Sequence, residues 1–568
     1  MSTVSSTTST ASTATSSTSS TNSTSTTGTN TTSSVDWNAL ITSEVNAKLA
    51  RATTIQTSIT SNQAKITAYQ RLQTSLGTLA TAASSLSNSI QNSLSSSVFA
   101  TRSATISSTG DVSASSALSM SVASGAATGD HTLQIEQIAT AQKVIGSSVT
   151  DQTAALGYTG TFSIGLAGGT SADISITSSM TLQDVADAIN NQISTTNVQA
   201  SVIEVSSNNY ELVLSGTKDA ADIQTSSVSG YDVLNKLGVT DSSGSFTDVL
   251  QTSQSAKLKL DGVELTRDTN DISDVLSGVT FSLLQSTTSG TTLNISISTD
   301  TSQIQTALQT FVTDYNAVRD FVNTQQQTNS DGTASSSSVL FGDGTMRDIM
   351  TRAEQALNTT VGSMSLSDLG LSFNTKNELV LDTSQLSTTL TDNLSGAISL
   401  LSAQTTTSSS DLSVINTASS SPASFKLDLA VDSSGKLTSA SVGGDSSLFT
   451  VSGQSIVGNS GTAYAGMAFT YSGSTSKSVT VTSTSGIAAQ IYNIANTDSS
   501  TTSGSLQDLI ENLTTQDDTM QQQIDDIDAN ATEYQTALKN EYAKYESAIS
   551  TANSTLNYLS ALLNKSSS

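Results

Sequence analysis

The chain has 568 residues, and 21 Lys and Arg against 47 Asp and Glu give it a net charge of −26. Because phosphate binding needs clustered cations, this balance argues against a nucleic-acid partner. The lack of Cys excludes disulfides and thiolate metal sites, and no apolar run approaches the roughly 18 residues of a membrane span.

The first 34 residues consist almost entirely of Ser, Thr and Asn. A segment of this composition has little apolar surface to bury, so we expect a disordered tail. It also lacks the basic start and apolar core of a secretory signal. If the protein is exported, we therefore expect a route that does not depend on such a signal.

Residues 37–95 carry apolar side chains at intervals of three and four, without Pro. This spacing places them on one stripe of a long helix, and such a stripe is buried against another helix. The residues of this stretch that we expect to contact a partner helix are Ile55, Ile59, Ile66, Tyr69 and Leu76.

The pattern between residues 98 and 300 is mostly that of β-strands. Apolar and polar residues alternate from His131 onward, and an Asp261-Gly262 pair predicts a tight hairpin turn. A short amphipathic helix is predicted after Thr181, because Thr181 and Asp184 have the spacing of a capping box.

Helical spacing returns at Ile304–Val322 and again at Gly344–Leu357, where the Gly-Asp-Gly sequence is expected to open the helix. Residues 406–486 have Ser/Thr-rich flanks around alternating segments. They predict a separate β-rich module that is inserted into the helical region.

The last heptads, residues 505–563, again predict a long helix with one apolar stripe. The expected partner-helix contacts here are Ile524, Ile527, Tyr534, Leu538, Leu556, Leu559 and Leu563. The last three lie near the end of the chain beside a Ser tail. Apolar surface in this position favours docking onto another subunit or a chaperone.

Together these elements predict an α+β fold, in which long terminal α-helices form a coiled-coil leg and β-rich head domains are inserted between them. The expected segments are a disordered Ser/Thr-rich tail (1–34), an N-terminal helical leg (35–97), β-rich head domains (98–300), a helical return segment (301–405), an inserted β-rich module (406–486) and a C-terminal coiled-coil leg (487–568).

Signatures of catalysis are mostly missing. His131 is the only His, the chain has no Gly-x-Ser-x-Gly sequence, and no Walker A loop is present. Paired carboxylates of the glycosidase type are the arrangement that the sequence leaves open. The acidic pairs of the last helix are expected to form a solvated face. They are Asp517, Asp518, Asp525, Asp526 and Asp528. We therefore expect no enzyme activity, cofactor or metal.

Several runs, in a shared order along the chain, resemble the flagellar hook-associated protein 2 family. The most specific run is LDGVELTRDTNDISDVLSGVTF at residues 260–281. Others are VDWNALI from residue 35, ITAYQRLQTSLGTL from 66, DHTLQIEQIATAQ from 130, FVTDYN from 311, LFGDGTMR from 340, LSDLGL from 366 and LVLD from 379. Residues 181–214 resemble a motif that flagellin and hook proteins share.

This resemblance implies a structural cap at the distal tip of the bacterial flagellar filament, outside the cell. Such caps are rings of identical subunits, often five, that promote the insertion and folding of exported flagellin and prevent its loss. The implied partners are further copies of the chain, flagellin, and an export chaperone at the C-terminal helix. Export follows the flagellar type III route, without membrane insertion.

Two alternatives stay open. One is another protein of the same assembly, either a hook–filament junction protein or flagellin, and the other is a flagellar surface adhesin. Flagellin begins its heptads almost at the first residue, whereas here they start near residue 36. An adhesin with β modules on a stalk needs a secretory signal or an anchor, although cell adhesion by an exposed cap is compatible with the sequence. A carboxylate-based hydrolase in the 406–486 module is the enzyme alternative.

Overall fold

A computed structural model of the chain describes residues 36–87, 97–287, 290–417 and 421–566. The tail that was predicted for residues 1–34 lies outside these residues. The chain has a long helix near each end and a β-rich middle, which confirms the α+β fold class. It divides into two compact units, one formed by the residues up to Asn62 with those from Thr514, and the other by Gln63–Leu513.

The first helix, α1, extends over Trp37–Ser87. The Asp36 carboxylate accepts the Ala39 N–H at 3.0 Å, as an N-cap residue does. Although the helix is rich in Ser and Thr, many of their hydroxyls donate to the carbonyl four residues earlier, as Thr57 does to Thr53 at 3.0 Å. The sequence predicted helix to about residue 95, and residues 88–96 lie outside the described chain.

A 3₁₀ turn at Val98–Ala100 leads into the β-rich middle of the chain. In chain order, the elements that follow are β1 Arg102–Ser108, α2 Ala114–Ala117, β2 Leu118–Val122, β3 Gly129–Gln137, β4 Lys143–Ile145, β5 Gly160–Leu166, β6 Ala172–Ile176, α3 Leu182–Asn190, α4 Ile193–Thr196, β7 Val198–Ser206, β8 Asn209–Gly216, β9 Ile223–Gly230, α5 Val233–Lys236, β10 Asp248–Gln251, β11 Ala256–Leu260, β12 Val263–Arg267, β13 Asp271–Ile272, β14 Val279–Leu283 and β15 Leu293–Thr299.

These strands form two β domains, one inserted in the other. The first domain has the sheets β1-β15-β3-β11-β12 and β13-β14-β2 around one apolar core. The second has the sheets β10-β4-β8-β7 and β6-β5-β9 around another. The second domain enters after β3 and leaves before β11, so both of its connections start from neighbouring strands of the same sheet.

Local turn and cap chemistry follows the predictions. Thr181 and Asp184 form the capping box at the start of α3. Asp261 and Gly262 join β11 to β12 with φ values of 49° and 86°, the left-handed conformation that a tight hairpin turn requires.

The chain then becomes helical, with α6 at Thr301–Gln325, α7 at Gly344–Leu357, a 3₁₀ turn at Leu366–Leu369, the hairpin β16 Leu371–Phe373 and β17 Leu379–Leu381, α8 at Thr383–Asp392 and α9 at Leu394–Leu401. Asp343 caps α7, because its carboxylate accepts the Met346 N–H at 2.7 Å. The predicted bounds of this helix are confirmed.

The next segment is a pair of four-stranded sheets around an apolar core of its own, with the orders β18-β25-β20-β21 and β19-β24-β23-β22. Its strands are β18 Ala403–Thr407, β19 Leu412–Asn416, β20 Ser424–Val431, β21 Leu437–Ser441, β22 Phe449–Ser452, β23 Ser455–Gly458, β24 Ala468–Tyr471 and β25 Lys477–Ser485, with a 3₁₀ turn at Ser446–Leu448 before β22.

The last two helices are α10, Ile487–Ser499, and α11, Ser505–Ser566. The chain turns between Ser499 and Ser505, inside the segment 487–568 that is predicted as a coiled-coil leg. Asp498 accepts bonds from Arg352 at 2.8 Å and from the Ser505 hydroxyl at 2.7 Å. This bonding holds the end of α10 against α7 and the start of α11.

One large core joins most of the helices in Gln63–Leu513, which we call the helical body. It takes its residues from the second half of α1, from α6 to α10 and from the first turns of α11. Tyr315 of α6 is fully buried in this core, and its hydroxyl has no hydrogen-bond partner within the described chain. Burial raises the pKa of this phenol to about 12.

We expect Tyr315→Phe to stabilise the helical body by about 1 kcal/mol, because the substitution removes a buried hydroxyl without a partner. The measurement is a urea denaturation curve followed by far-ultraviolet circular dichroism. Tyr471→Phe is the matched control, since the buried Tyr471 hydroxyl donates to the Thr475 carbonyl at 2.6 Å. The control should lower the free energy of unfolding of its domain by about 1 kcal/mol, opposite in sign to Tyr315→Phe. A change of the same sign in both variants would contradict the assignment.

The β18–β25 segment should be removable. Ala403 pairs with Ser485, and the Gly486 N–H donates to the Ser402 carbonyl at 3.0 Å, so the two ends of the segment are adjacent. We expect replacement of residues 403–485 by a two-residue turn to leave α7 and α10 folded. Hydrogen exchange of these helices tests this expectation, and loss of their protection would show that the segment is needed to form the body.

Candidate assembly interfaces

The first part of α1 and the last helix form an antiparallel pair in the unit that contains both. Trp37 stacks on Tyr542 with a centroid distance of 4.8 Å, and the Tyr534 hydroxyl donates to Glu44 at 2.5 Å. Further along α1, Asn62 donates to Asp517 at 2.9 Å. In these contacting pairs the residue number rises along α1 while the number of its partner falls along α11. The two helices therefore run in opposite directions.

The seam of this helix pair contains two small apolar clusters. One is formed by Ile41, Val45, Ala531 and Leu538, and the other by Ala52, Ile59 and Ile524. The partly buried Ile55, Ile527 and Tyr534 pack against them. All six predicted contacts that lie in this part of the two helices are therefore used within the chain, and their contact with a partner subunit stays a prediction.

Three other predicted residues of α1 belong to the helical body. Tyr69 and Leu76 are buried in its core, and Ile66 packs against that core. The Tyr69 hydroxyl donates to Asp343 at 2.7 Å, which ties α1 to the start of α7. Burial and the Asp343 carboxylate both raise the pKa of this phenol, so it remains protonated and keeps donating.

The remaining predicted residues lie in the terminal segment of α11, which we define as residues 546–563. The exposed fractions of Leu556, Leu559 and Leu563 are 59%, 49% and 67%. Every residue of the segment is exposed, and Ile549, Tyr558 and Leu562 add further apolar surface. Contact of this apolar stripe with another molecule stays a prediction.

Charge separates the terminal segment from the rest of α11. Residues 547–564 contain no Asp, Glu, Lys, Arg or His, whereas five aspartates lie between residues 517 and 528. Of these, Asp518, Asp525, Asp526 and Asp528 are exposed, as predicted, but Asp517 is half-buried beside Asn62. The prediction of a wholly solvated acidic face was therefore wrong for Asp517, because this residue falls on the apolar stripe of the helix.

Sequence spacing alone did not predict the roles of Trp37 and Tyr542 or the Asn62–Asp517 contact. Asn62 lies three residues after Ile59 and four before Ile66, so heptad spacing places it on the stripe. This spacing is the signal that was available. The exposed apolar residues of the second β domain were also not predicted. They include Ile203, Val205, Val228, Val249 and Leu250.

The described residues hold no group of three or more His, Cys, Asp or Glu side chains placed to bind a metal ion. His131 is half-buried on β3, the central strand of its sheet, and its Nδ1 lies 2.7 Å from an Asp261 carboxylate oxygen. The neighbouring His131 and the Thr132 N–H hold the pKa of Asp261 below its usual value. This carboxylate fastens the β11–β12 turn to β3.

Within the described chain, none of the helices combines the length and the apolar character that crossing a membrane requires.

Comparison with known proteins identifies similar sequences along most of the chain. The profiles of the flagellar hook-associated protein 2 N-terminus and C-terminus match residues 33–142 and 253–554. Between them, the flagellin hook IN motif matches residues 161–218. This match includes the segment 181–214, whose resemblance to flagellin and hook proteins was noted from the sequence.

Individual relatives agree with these profiles. Flagellar hook-associated protein 2 of Escherichia coli O157:H7 is 30% identical over 386 residues, which cover 65% of this chain and 78% of the relative. The B-type protein of Pseudomonas aeruginosa is 26% identical over 306 residues, covering 51% and 64%. The crystal structure of the flagellar cap protein FliD D1-D2-D3 domains from Escherichia coli aligns with 27% identity and a TM-score of 0.44, covering 59% of this chain and 90% of that one.

Two isoleucines of α11 should respond differently to truncation. Ile524 is buried in the seam, whereas Ile549 is 48% exposed. We expect Ile524→Ala to destabilise the helix pair by roughly 2–3 kcal/mol, because it leaves a cavity. Ile549→Ala should leave the stability of the single chain unchanged. Hydrogen exchange of residues 37–62 measures both, and equal protection in the two variants would contradict the assigned seam.

Proposed function

The chain belongs to the flagellar hook-associated protein 2 family, and from this we propose that it caps the distal end of a bacterial flagellar filament. In this role it promotes the insertion and folding of exported flagellin and prevents flagellin from being lost. The protein acts as an oligomeric template outside the cell and carries out no covalent chemistry.

The observation that carries this proposal is the terminal segment of α11. Its heptad stripe continues through Ile549, Leu556, Leu559 and Leu563, all of which are exposed. A helix with such a stripe binds a groove or a stripe on another helix. Because residues 547–564 contain no Asp, Glu, Lys, Arg or His, the binding depends on apolar surface rather than on charge.

We propose two partners for the terminal segment at different times. An export chaperone covers it before assembly, and the filament end receives it afterwards. Delivery by the flagellar type III route fits this sequence of events. The ring itself forms from copies of this chain, in the number, often five, that the resemblance implies.

We also propose a role for each of the predicted segments. The legs, 35–97 and 487–568, contact the filament, while the head domains of 98–300 and the helical return segment of 301–405 form the ring. The module predicted at 406–486 is an additional head domain that faces outward. Its sheets have their own core, which supports its treatment as a separate module.

The test is deletion of this protein in its own organism. We expect hooks without filaments and monomeric flagellin in the medium. Normal filaments in the deletion strain would contradict a cap function and would favour the adhesin alternative.

Substitutions in the terminal segment should reproduce this defect without unfolding the protein. We expect L556S/L559S to support less than a tenth of native filament growth in the deletion strain, because two large apolar side chains that docking would bury are lost, which weakens docking by roughly 3 kcal/mol or more. Tyr558→Ser is the matched control, since Tyr558 is 67% exposed but lies off the heptad stripe. Growth is measured by filament length and secreted flagellin. Equal growth with L556S/L559S and the control would remove this segment from the docking surface.

A further inference from the structure

One layer of the helix pair is polar. Among the residues of α1 from Trp37 to Asn62, those that are not fully exposed are all aromatic or aliphatic except Asn62. In α11 from Thr514 to Tyr545, Asp517 is the one charged residue that is not fully exposed. These two residues meet each other, with the Asn62 amide donating to the Asp517 carboxylate at 2.9 Å.

Both residues occupy seam positions that heptad spacing assigns to apolar side chains. Asn62 follows Ile59 by three residues, and Asp517 precedes Met520 by three. A polar residue in such a position specifies register and partner at a cost in stability. Two leucines at these positions would bury more apolar surface and leave no carboxylate to desolvate, so the polar layer is not there for stability.

We propose that the Asn62–Asp517 layer selects the partner and the register of the helix pair. It makes α1 of the same chain the partner of α11, in antiparallel orientation. In this arrangement the carboxylate has an amide donor opposite it, and the remaining layers bury their apolar residues.

The alternatives to this pairing leave the carboxylate without a donor. A shift by half a heptad or by one turn places Asp517 opposite Ile59 or Ile66, where it would be desolvated and unpaired. Parallel pairing with a second copy of α11 places Asp517 against its own equivalent, and two like charges in one layer repel. The native register pairs the carboxylate with the Asn62 amide, and this pairing is how one layer discriminates between registers with similar apolar contacts.

This selection does not depend on the proposed cap function, because it concerns pairing within one chain. It bears on assembly, however, because the chain carries several apolar stripes that resemble one another. A device that fixes the partner of one stripe leaves the terminal segment of α11 as the stripe that remains open to other molecules.

The chain contains its own reporter for the test. Trp37 is its only Trp, and it stacks on Tyr542 at the end of the pair far from Asn62. Correct pairing therefore protects Trp37 from an aqueous quencher such as iodide. The experiment compares full-length N62D, the double variant N62D/D517N and the control S61D, which adds the same charge at a neighbouring exposed position.

We expect N62D to place two carboxylates in one layer, to expose Trp37 to iodide, and to accelerate amide exchange in residues 37–62 roughly tenfold. The double variant N62D/D517N restores an amide opposite a carboxylate with the polarity reversed, so both readouts should return toward the native values. S61D should match the native protein. If N62D behaves like S61D, or if the double variant does not recover, the proposed selection is wrong.

A second variant separates selection from stability and keeps the test informative if N62D fails to fold. N62L/D517L should slow amide exchange of the pair, since it adds apolar contacts, but it should broaden the distribution of Trp37 fluorescence lifetimes as registers mix. Slower exchange with a single native lifetime would show that the layer only reduces stability and would overturn its role in selection.

Discussion

The structure depends on the burial of apolar helix faces that come from both ends and the middle of the chain. The core of the helical body takes Leu76 and Leu86 from α1, Phe311 from α6 and Ile491 from α10. Helices in proteins gain most of their stability from tertiary packing of an apolar face. The core of the helical body is therefore complete only when all of its helices are present. Each domain inserted between these helices must end close to where it begins.

The β domains obey this constraint through paired strands at their connections. β1 pairs with β15 over Arg102–Ser108, so the chain leaves and re-enters the body along one antiparallel ladder. β18 and β25 do the same for the later module. An insertion whose ends are adjacent does not disturb the packing of the helices that it separates. The same geometry allows a family with a common helical body to differ in the number and kind of its outer domains.

The elements that were predicted correctly are those whose chemistry is local. The bounds of α7, the capping box of α3 and the Asp261-Gly262 turn each depend on residues a few positions apart. The turn after α10 was not predicted, because it depends on a contact between Asp498 and Arg352, which are 146 residues apart. Asp517 was misassigned for a related reason: its surroundings are set by Asn62 of a distant helix, and only the register of the pair brings the two together. Leu556 and Leu559 are exposed, and their contact with another molecule stays a prediction.

The distance along the chain between the helices of the body has a consequence for the order of folding. Gln73 of α1 contacts Ser500, 427 residues later, so the contacts of the body have a very high sequence separation. The β domains instead close within contiguous or singly interrupted stretches and are able to fold as soon as those are available. During synthesis, the apolar face of α1 therefore remains partly exposed until α10 and the start of α11 have emerged. Residues of α10 and of the first turns of α11 complete the body, so the helical part folds after the β domains that precede them in the chain.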